Sequence, residues 1–218
     1  MENTSGRKRK NGNRILICAG LLLIAAALAL ALYNVLDARR AEQTVEQTLA
    51  ALDEASGNIP EEPADVPEEG PEDPPEPPRP AYLDDPDMPM PTVEVDGNAY
   101  IGRLEIPALE LELPVMSEWS YPRLRTAPCR YKGSAYLDDM IVAAHNYDSH
   151  FGRLHRLAPG DTVRFTDEAG NTFTYAVSQV EELPGTAIEE MEAGDWDLTL
   201  FTCTLGGRAR VTVRCTRV

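Results

Sequence analysis

The spacing of apolar and polar positions divides the chain into segments of distinct texture. Ile15 to Val35 is apolar almost without a break and carries no charge. Its length is about the ~20 residues a helix needs to cross a hydrocarbon core. Residues 38–56 have helix-forming composition and set Val45, Leu49 and Leu52 at helical spacing, which predicts a short juxtamembrane helix. Residues 59–91 hold 12 of the 18 prolines, mixed with Glu and Asp. Such a stretch buries too little apolar surface to offset its ordering entropy, so it is expected to be disordered or extended, as a stalk or a plain linker.

From about Asn98 short β-type runs recur, at 100–106, 111–116, 140–144, 162–166, 172–180, 198–202 and 208–215. Turn residues separate them, among them Pro107, Pro159-Gly160, Gly170-Asn171 and Gly206-Gly207. Phe173, Tyr175 and Val177 alternate onto one face. Residues 151–157 and 187–191 are candidates for short helices. Strands at this spacing predict a mainly all-β domain, a barrel or sandwich. The expected division is a basic tail at 1–14, a membrane helix at 15–36, a juxtamembrane helix at 37–56, a linker at 57–97 and a folded domain at 98–218.

Charge sharpens this picture. The net of -16 is uneven: residues 1–14 carry +4, residues 37–100 carry -15 and residues 101–218 carry -5. Basic residues stay on the cytoplasmic side, so the tail is expected inside and the folded domain outside, on a single-pass anchor in the cell membrane. Cleavage after Ala29-Leu30-Ala31 is the rival reading, but the apolar run exceeds the ~7–15 residues of a signal peptide. No basic footprint for DNA or RNA exists, and nucleic acid is excluded as a partner. Cys18, Cys129, Cys203 and Cys215 are too few for a disulfide framework. No Cys/His spacing suits a metal, and no cofactor is expected.

Two strand ends carry candidate chemistry. Residues 140–144 lead into His145, and residues 198–202 lead into Cys203, with Arg208, Arg210 and Arg214 on the strand that follows. A cysteine nucleophile needs thiolate, which an imidazole can help to form, and the same imidazole can protonate a leaving amine. An arginine can stabilise the oxyanion of a tetrahedral intermediate. Each residue also has a plainer reading: small cysteines fill cores, strand-end histidines are often structural, and terminal-strand arginines often face solvent. Cys129 and Cys215 are read as core thiols.

Thr199-Leu200-Phe201-Thr202-Cys203 resembles the sortase signature Thr-Leu-x-Thr-Cys. Ile101-Gly-Arg-Leu-Glu-Ile-Pro107 with Leu113-Pro114-Val115 is similar to that family's opening strands, and His145-Asn146-Tyr147 through Gly160-Asp161 to its histidine region. The resemblance runs in order through residues 101–218. It implies an eight-stranded β-barrel and a membrane-anchored cysteine transpeptidase acting on secreted proteins with a C-terminal Leu-Pro-x-Thr-Gly-like signal. The acceptor is an amine, from a cell-wall precursor or a protein lysine. Cys203 is the implied nucleophile and His145 the general acid/base. Arg210, directly before the run Val-Thr-Val, is the implied oxyanion residue. Arg208 is the runner-up, because a tight hairpin through Leu205-Gly206-Gly207 would bring it beside Cys203. Thr202, Leu183 and Ile188 are the expected substrate-binding residues, and His150 is read as structural or rim. Pilus-polymerising members carry an Asp-Pro-aromatic lid and a C-terminal membrane helix. Asp85-Pro86-Asp87 lacks the aromatic and the chain stops at Val218, so pilin polymerisation is the less expected task.

Two rivals belong to other classes. Papain-like and wall-hydrolase enzymes place cysteine before histidine, and L,D-transpeptidases hold both in one short motif. Here histidine leads cysteine by 58 residues. A non-enzymatic adhesin or scaffold on a proline-rich stalk is the other, and a thiol inert toward a sorting-peptide mimic would favour it.

Overall fold

The computed structural model describes residues 5–57 and 79–218, with side chains from Leu16 to Ala55 and from Arg79 onward. The expectations for residues 1–4 and 58–78, most of the proline-rich linker, lie outside the described residues. Two units are present, Met1–Arg40 and Ala41–Val218.

The membrane-type and juxtamembrane stretches form one helix, α1 (Ser5–Gly57). Among the described residues its Leu16–Ala55 part is the one helix long and apolar enough to cross a membrane. Leu16, Leu22, Leu23 and Leu28 are all exposed, as lipid-facing side chains are. From Ala41 onward the apolar spacing has a protein partner. Val45 joins the main core of the second unit, and Leu52 packs with Tyr100, Met116 and Cys129. Asp53 Oδ1 accepts from Arg103 Nη2 at 2.6 Å.

The second unit is a barrel. Its strands are β1 (Val93–Val95), β2 (Asn98–Ile106), β3 (Leu111–Met116), β4 (Cys129–Lys132), β5 (Met140–Ala143), β6 (Thr162–Asp167) and β7 (Thr172–Pro184), then β8 (Leu198–Cys203) and β9 (Ala209–Arg217). A short helix, α2 (Ile188–Glu192), joins β7 to β8. The sheet order is β1-β2-β3-β4-β5-β8-β9-β7-β6, and a β2–β6 pairing closes β2 to β9 into the expected eight-stranded barrel. The three-residue β1 is an added hairpin arm on β2. At the closing seam Gly102 has φ 147°, and a Cβ there would run into the Thr166 carbonyl oxygen. Glycine lets the two strands meet.

Inward positions are apolar along every long strand. Leu104 and Ile106, Leu113 and Val115, Val163 and Phe165, Phe173 to Val177, and Leu198 and Leu200 fill one core. Residues 79–97, grouped with the linker from sequence, belong to this unit: Tyr82 stacks on Tyr136 at 4.7 Å, Met90 is buried and β1 pairs with β2. The helix expected at 151–157 is a single 3-10 turn at Leu154–Arg156.

Candidate active site

The register of three strands assembles the site. β5 and β8 run parallel, with Ala143 opposite Phe201. Continuing both chains by two residues brings His145 level with Cys203, and neighbouring strands lie ~4.8 Å apart. Two hydrogen bonds hold these ends together: Ala144 N donates to Phe201 O at 3.2 Å, and Thr202 Oγ1 donates to Ala144 O at 2.9 Å. Thr202, the second threonine of the signature, therefore ties the cysteine strand to the backbone just before His145.

β8 and β9 form an antiparallel hairpin in which Cys203 is the direct partner of Arg210. The loop between them is wider than a tight turn. Thr204 N donates to Ala209 O at 3.0 Å, Ala209 N donates back to Thr204 Oγ1 at 3.1 Å, and Gly206 and Gly207 take φ of 85° and 70°. Arg208 is thereby left exposed in the loop, and Arg210 becomes the arginine opposite the cysteine. Arg210 Nη1 donates to Gly207 O at 3.2 Å and Ala209 O at 3.1 Å.

Cys203 and Arg210 line an open groove of about 270 Å³. Leu198 and Leu200 point into the core, so the alternation of β8 turns Thr199, Phe201 and Cys203 to the outer face. One side of the groove is aromatic, from Trp119, Tyr121 and Tyr131; the other is Ile188 and Met191 of α2. Trp119 lies 5.4 Å from Tyr131, and Tyr131 meets Phe201 edge-on at 5.5 Å. Tyr131 donates to Glu192 Oε1 at 3.1 Å, and burial first, then this bond, raises its pKa. Glu192 is held low by Lys132, whose Nζ lies 2.7 Å from Oε2.

Of the residues expected to bind substrate, Thr202 and Ile188 line this groove. Leu183 does not: it pairs with Arg210 across the β7–β9 register. His145 is half-buried and lies just outside the groove lining. Its ring stacks on Tyr147 at 4.5 Å and 14°, and its Nδ1 is 3.3 Å from Asn146 Oδ1. Behind that stack, 5.5 Å from Tyr147, His150 is fully buried. Burial, with a smaller contribution from His145, lowers its pKa to about 4. His150 is thus a neutral interior ring and no proton donor to the groove. Cys129 and Cys215 are unpaired, and burial pushes both thiols up to about 12. The sequence reading missed the aromatic side of the groove. The signal lay in Trp119-Ser-Tyr121-Pro, two aromatics in a turn-rich stretch with no strand to bury them.

Comparison with known proteins points to one family. Residues 104–218 match the model of the sortase domain. The chain is 29% identical over 128 residues to sortase A of Bacillus anthracis, covering 56% of this chain and 60% of that protein. It is 31% identical over 106 residues to sortase D of Bacillus subtilis, covering 47% and 53%. Among solved structures, sortase C1 of Streptococcus agalactiae aligns with 28% identity and a TM-score of 0.49, over 57% of this chain and 70% of that one. The curated relatives are matched over little more than half of their own length. This chain belongs to the sortase family.

Proposed function

We propose that the chain is a membrane-anchored cysteine transpeptidase that cleaves a Leu-Pro-x-Thr-Gly-like sorting signal and joins the protein to an amine. The observation that carries this reading is the pairing of Cys203 with Arg210 across the β8–β9 hairpin, at the end of a groove that also takes in Ile188 and Trp119.

The chemistry follows from the placement of the groups. The Cys203 thiolate attacks the carbonyl carbon of the Thr–Gly bond, and the negative charge gathers on the carbonyl oxygen. Arg210 is the cation on the neighbouring strand that faces this charge. Collapse of the tetrahedral intermediate breaks the C–N bond, and imidazolium at His145 gives its proton to the departing glycine amine. A thioester on Cys203 remains. An incoming amine attacks it, returns a proton to His145 and expels the thiolate, forming a new amide. The apolar groove holds the signal so that the bond meets Cys203, and Thr202 keeps the two reacting strand ends in register.

In this reading α1 is an uncleaved anchor with the basic tail inside and the barrel outside. Incubation of the detergent-solubilised chain with a sorting-peptide library, followed by intact-mass measurement, tests the activity. The expected result is an adduct on Cys203 equal to the peptide up to threonine, with glycine-terminated fragment released. A chain that stays unmodified across the library would refute it. Protease added to intact protoplasts is expected to release the barrel; a protected barrel would reverse the topology.

A further inference from the structure

Arg214 is 3% exposed and lies four residues beyond Arg210 on the outer face of β9, beneath α2. Its guanidinium makes contacts on three separate elements. Nε donates to Glu181 Oε1 of β7 at 2.8 Å. Nη1 donates to Met191 O of α2 at 2.6 Å and to Thr199 Oγ1 of β8 at 3.2 Å. Nη2 donates to Glu190 O of α2 at 2.6 Å.

α2 has five residues, too few to hold a helix in water without tertiary support. Its last carbonyls have no partners within the helix, and the partial negative charge at that end favours a cation. A planar fork bonding two successive carbonyls fixes both the position and the rotation of the helix, and charge-assisted bonds are about twice as strong as neutral ones. The opposite flank of α2 is held by Tyr131 and by Lys132, which is 57% exposed. An exposed pair of that kind holds weakly. Placement of Ile188 and Met191, which form one side of the groove, therefore falls to the buried arginine.

We infer that Arg214 is a positioning residue that sets the specificity wall of the groove, with Thr199, the first residue of the signature, as its footing on β8. This rests on the reading that the groove holds the sorting peptide. Both signature threonines then have a physical reason: Thr202 aligns the reacting ends, and Thr199 anchors the wall's clamp. Lysine cannot replace the arginine, because a single ammonium does not span two carbonyls in a fixed plane.

The test uses the full chain in detergent with Arg214→Met and Arg214→Lys, read by hydrogen exchange, peptide kinetics and iodoacetamide alkylation of Cys203. Exchange is expected to accelerate over residues 185–196 while the β2–β6 seam stays protected. With a Leu-Pro-Ala-Thr-Gly peptide, KM should rise about 10-fold, the equivalent of one strong hydrogen bond. Discrimination against a peptide with alanine for the leading leucine should shrink, the alkylation rate should hold, and lysine should behave like methionine. Unchanged exchange over 185–196 overturns the inference. So does a fall in kcat at constant KM with slowed alkylation, which would place Arg214 at the reacting atoms. If both variants fail to fold, Thr199→Val, which removes one contact of the clamp, must show the same local exchange in weaker form, and its absence is equally fatal. Should the parent chain turn over no peptide at all, the transpeptidase reading fails, while the exchange data still decide whether Arg214 clamps α2.

Discussion

The two ends of β9 carry arginines in opposite circumstances. At the far end Arg217 bonds Asp138 at 2.6 Å and lies 4.7 Å over the Phe173 ring, within an aromatic plug where Tyr82 stacks on Tyr136. Seven residues away, roughly 23 Å along an extended strand, the Arg210 guanidinium bonds the Gly207 and Ala209 carbonyls and lines the groove with Cys203. Among the described residues Arg210 forms no ion pair. The thiols repeat the contrast: Cys215 is fully buried with its pKa pushed up to about 12, whereas Cys203 is half-buried at the groove. Under the proposed function, the buried, satisfied groups hold the structure and those at the opening meet the substrate, as a partly exposed thiol can react where a buried one is inert. Experiments that treat the two ends alike can break this division.

The largest effect is expected at Cys203. Cys203→Ala should reduce peptide cleavage and acyl-enzyme formation below detection without loss of fold, while Cys129→Ala and Cys215→Ser remain active. Turnover by the first variant would remove the thiol from the mechanism. Next comes Arg210→Ala, expected to lower kcat/KM by about 10²–10³-fold, the usual cost of one oxyanion donor. Arg208→Ala should stay near the parent value, since that side chain stands exposed in the loop. A crippled Arg208→Ala beside an active Arg210→Ala would show that the hairpin closes more tightly in solution.

The contrast between ends was only partly legible in the sequence. Alternation predicted the long strands, because Phe173, Tyr175 and Val177 had to share a buried face. The four-residue β4 was missed: Cys-Arg-Tyr-Lys is too short for a period to register, and its pairing comes from distant β5. Alternation along a strand puts Arg208, Arg210 and Arg214 on one face and cannot choose among them. That choice depends on how many residues the Thr204–Ala209 closure leaves in the loop, and Gly206-Gly207 permits several lengths. The clamp role of Arg214 depends on α2 folding back over β9, a contact of long sequence separation that no local pattern encodes. Residues 79–97 had a linker's composition and yet join the barrel, because Tyr82 and Met90 find apolar partners there.

A third prediction concerns pH. His150 is fully buried, and its pKa falls from 6.5 to about 4 in the folded chain. Between those values the unfolded chain binds a proton that the folded chain refuses, so stability is complete above 6.5 and declines as pH falls toward 4. The loss attributable to this group is up to ~3 kcal/mol. His150→Phe should flatten the acid limb of a denaturation profile by about that much, measured as chemical-denaturation midpoints across this window. An unchanged limb would mean the imidazole is hydrated in the native state.

The smallest effect is expected at the plug. Tyr82 lies three residues before Asp85-Pro86, the dipeptide compared above with a lid motif. Its ring stacks on Tyr136 at 4.7 Å and packs 5.3 Å from Phe173, at the end of the barrel marked by Arg217. Phe173 is fully buried and Tyr82 half-buried, so truncation exposes one ring face and leaves no sealed cavity. Tyr82→Ala should therefore cost about 1–2 kcal/mol of stability, an aromatic pair plus some lost area. Acting ~20 Å from Cys203 through a barrel whose β2–β6 seam stays closed, it should leave kcat and KM for a sorting peptide unchanged. Tyr82→Phe should recover the stability, because Tyr136 stacks on the ring. Its hydroxyl faces Arg217, which keeps its 2.6 Å bond to Asp138. A rise in kcat/KM on Tyr82→Ala would show that residues 79–92 restrain the groove after all and that the two ends of the barrel are coupled. A stability loss with kinetics untouched keeps them separate, one end sealing the fold and the other performing the chemistry.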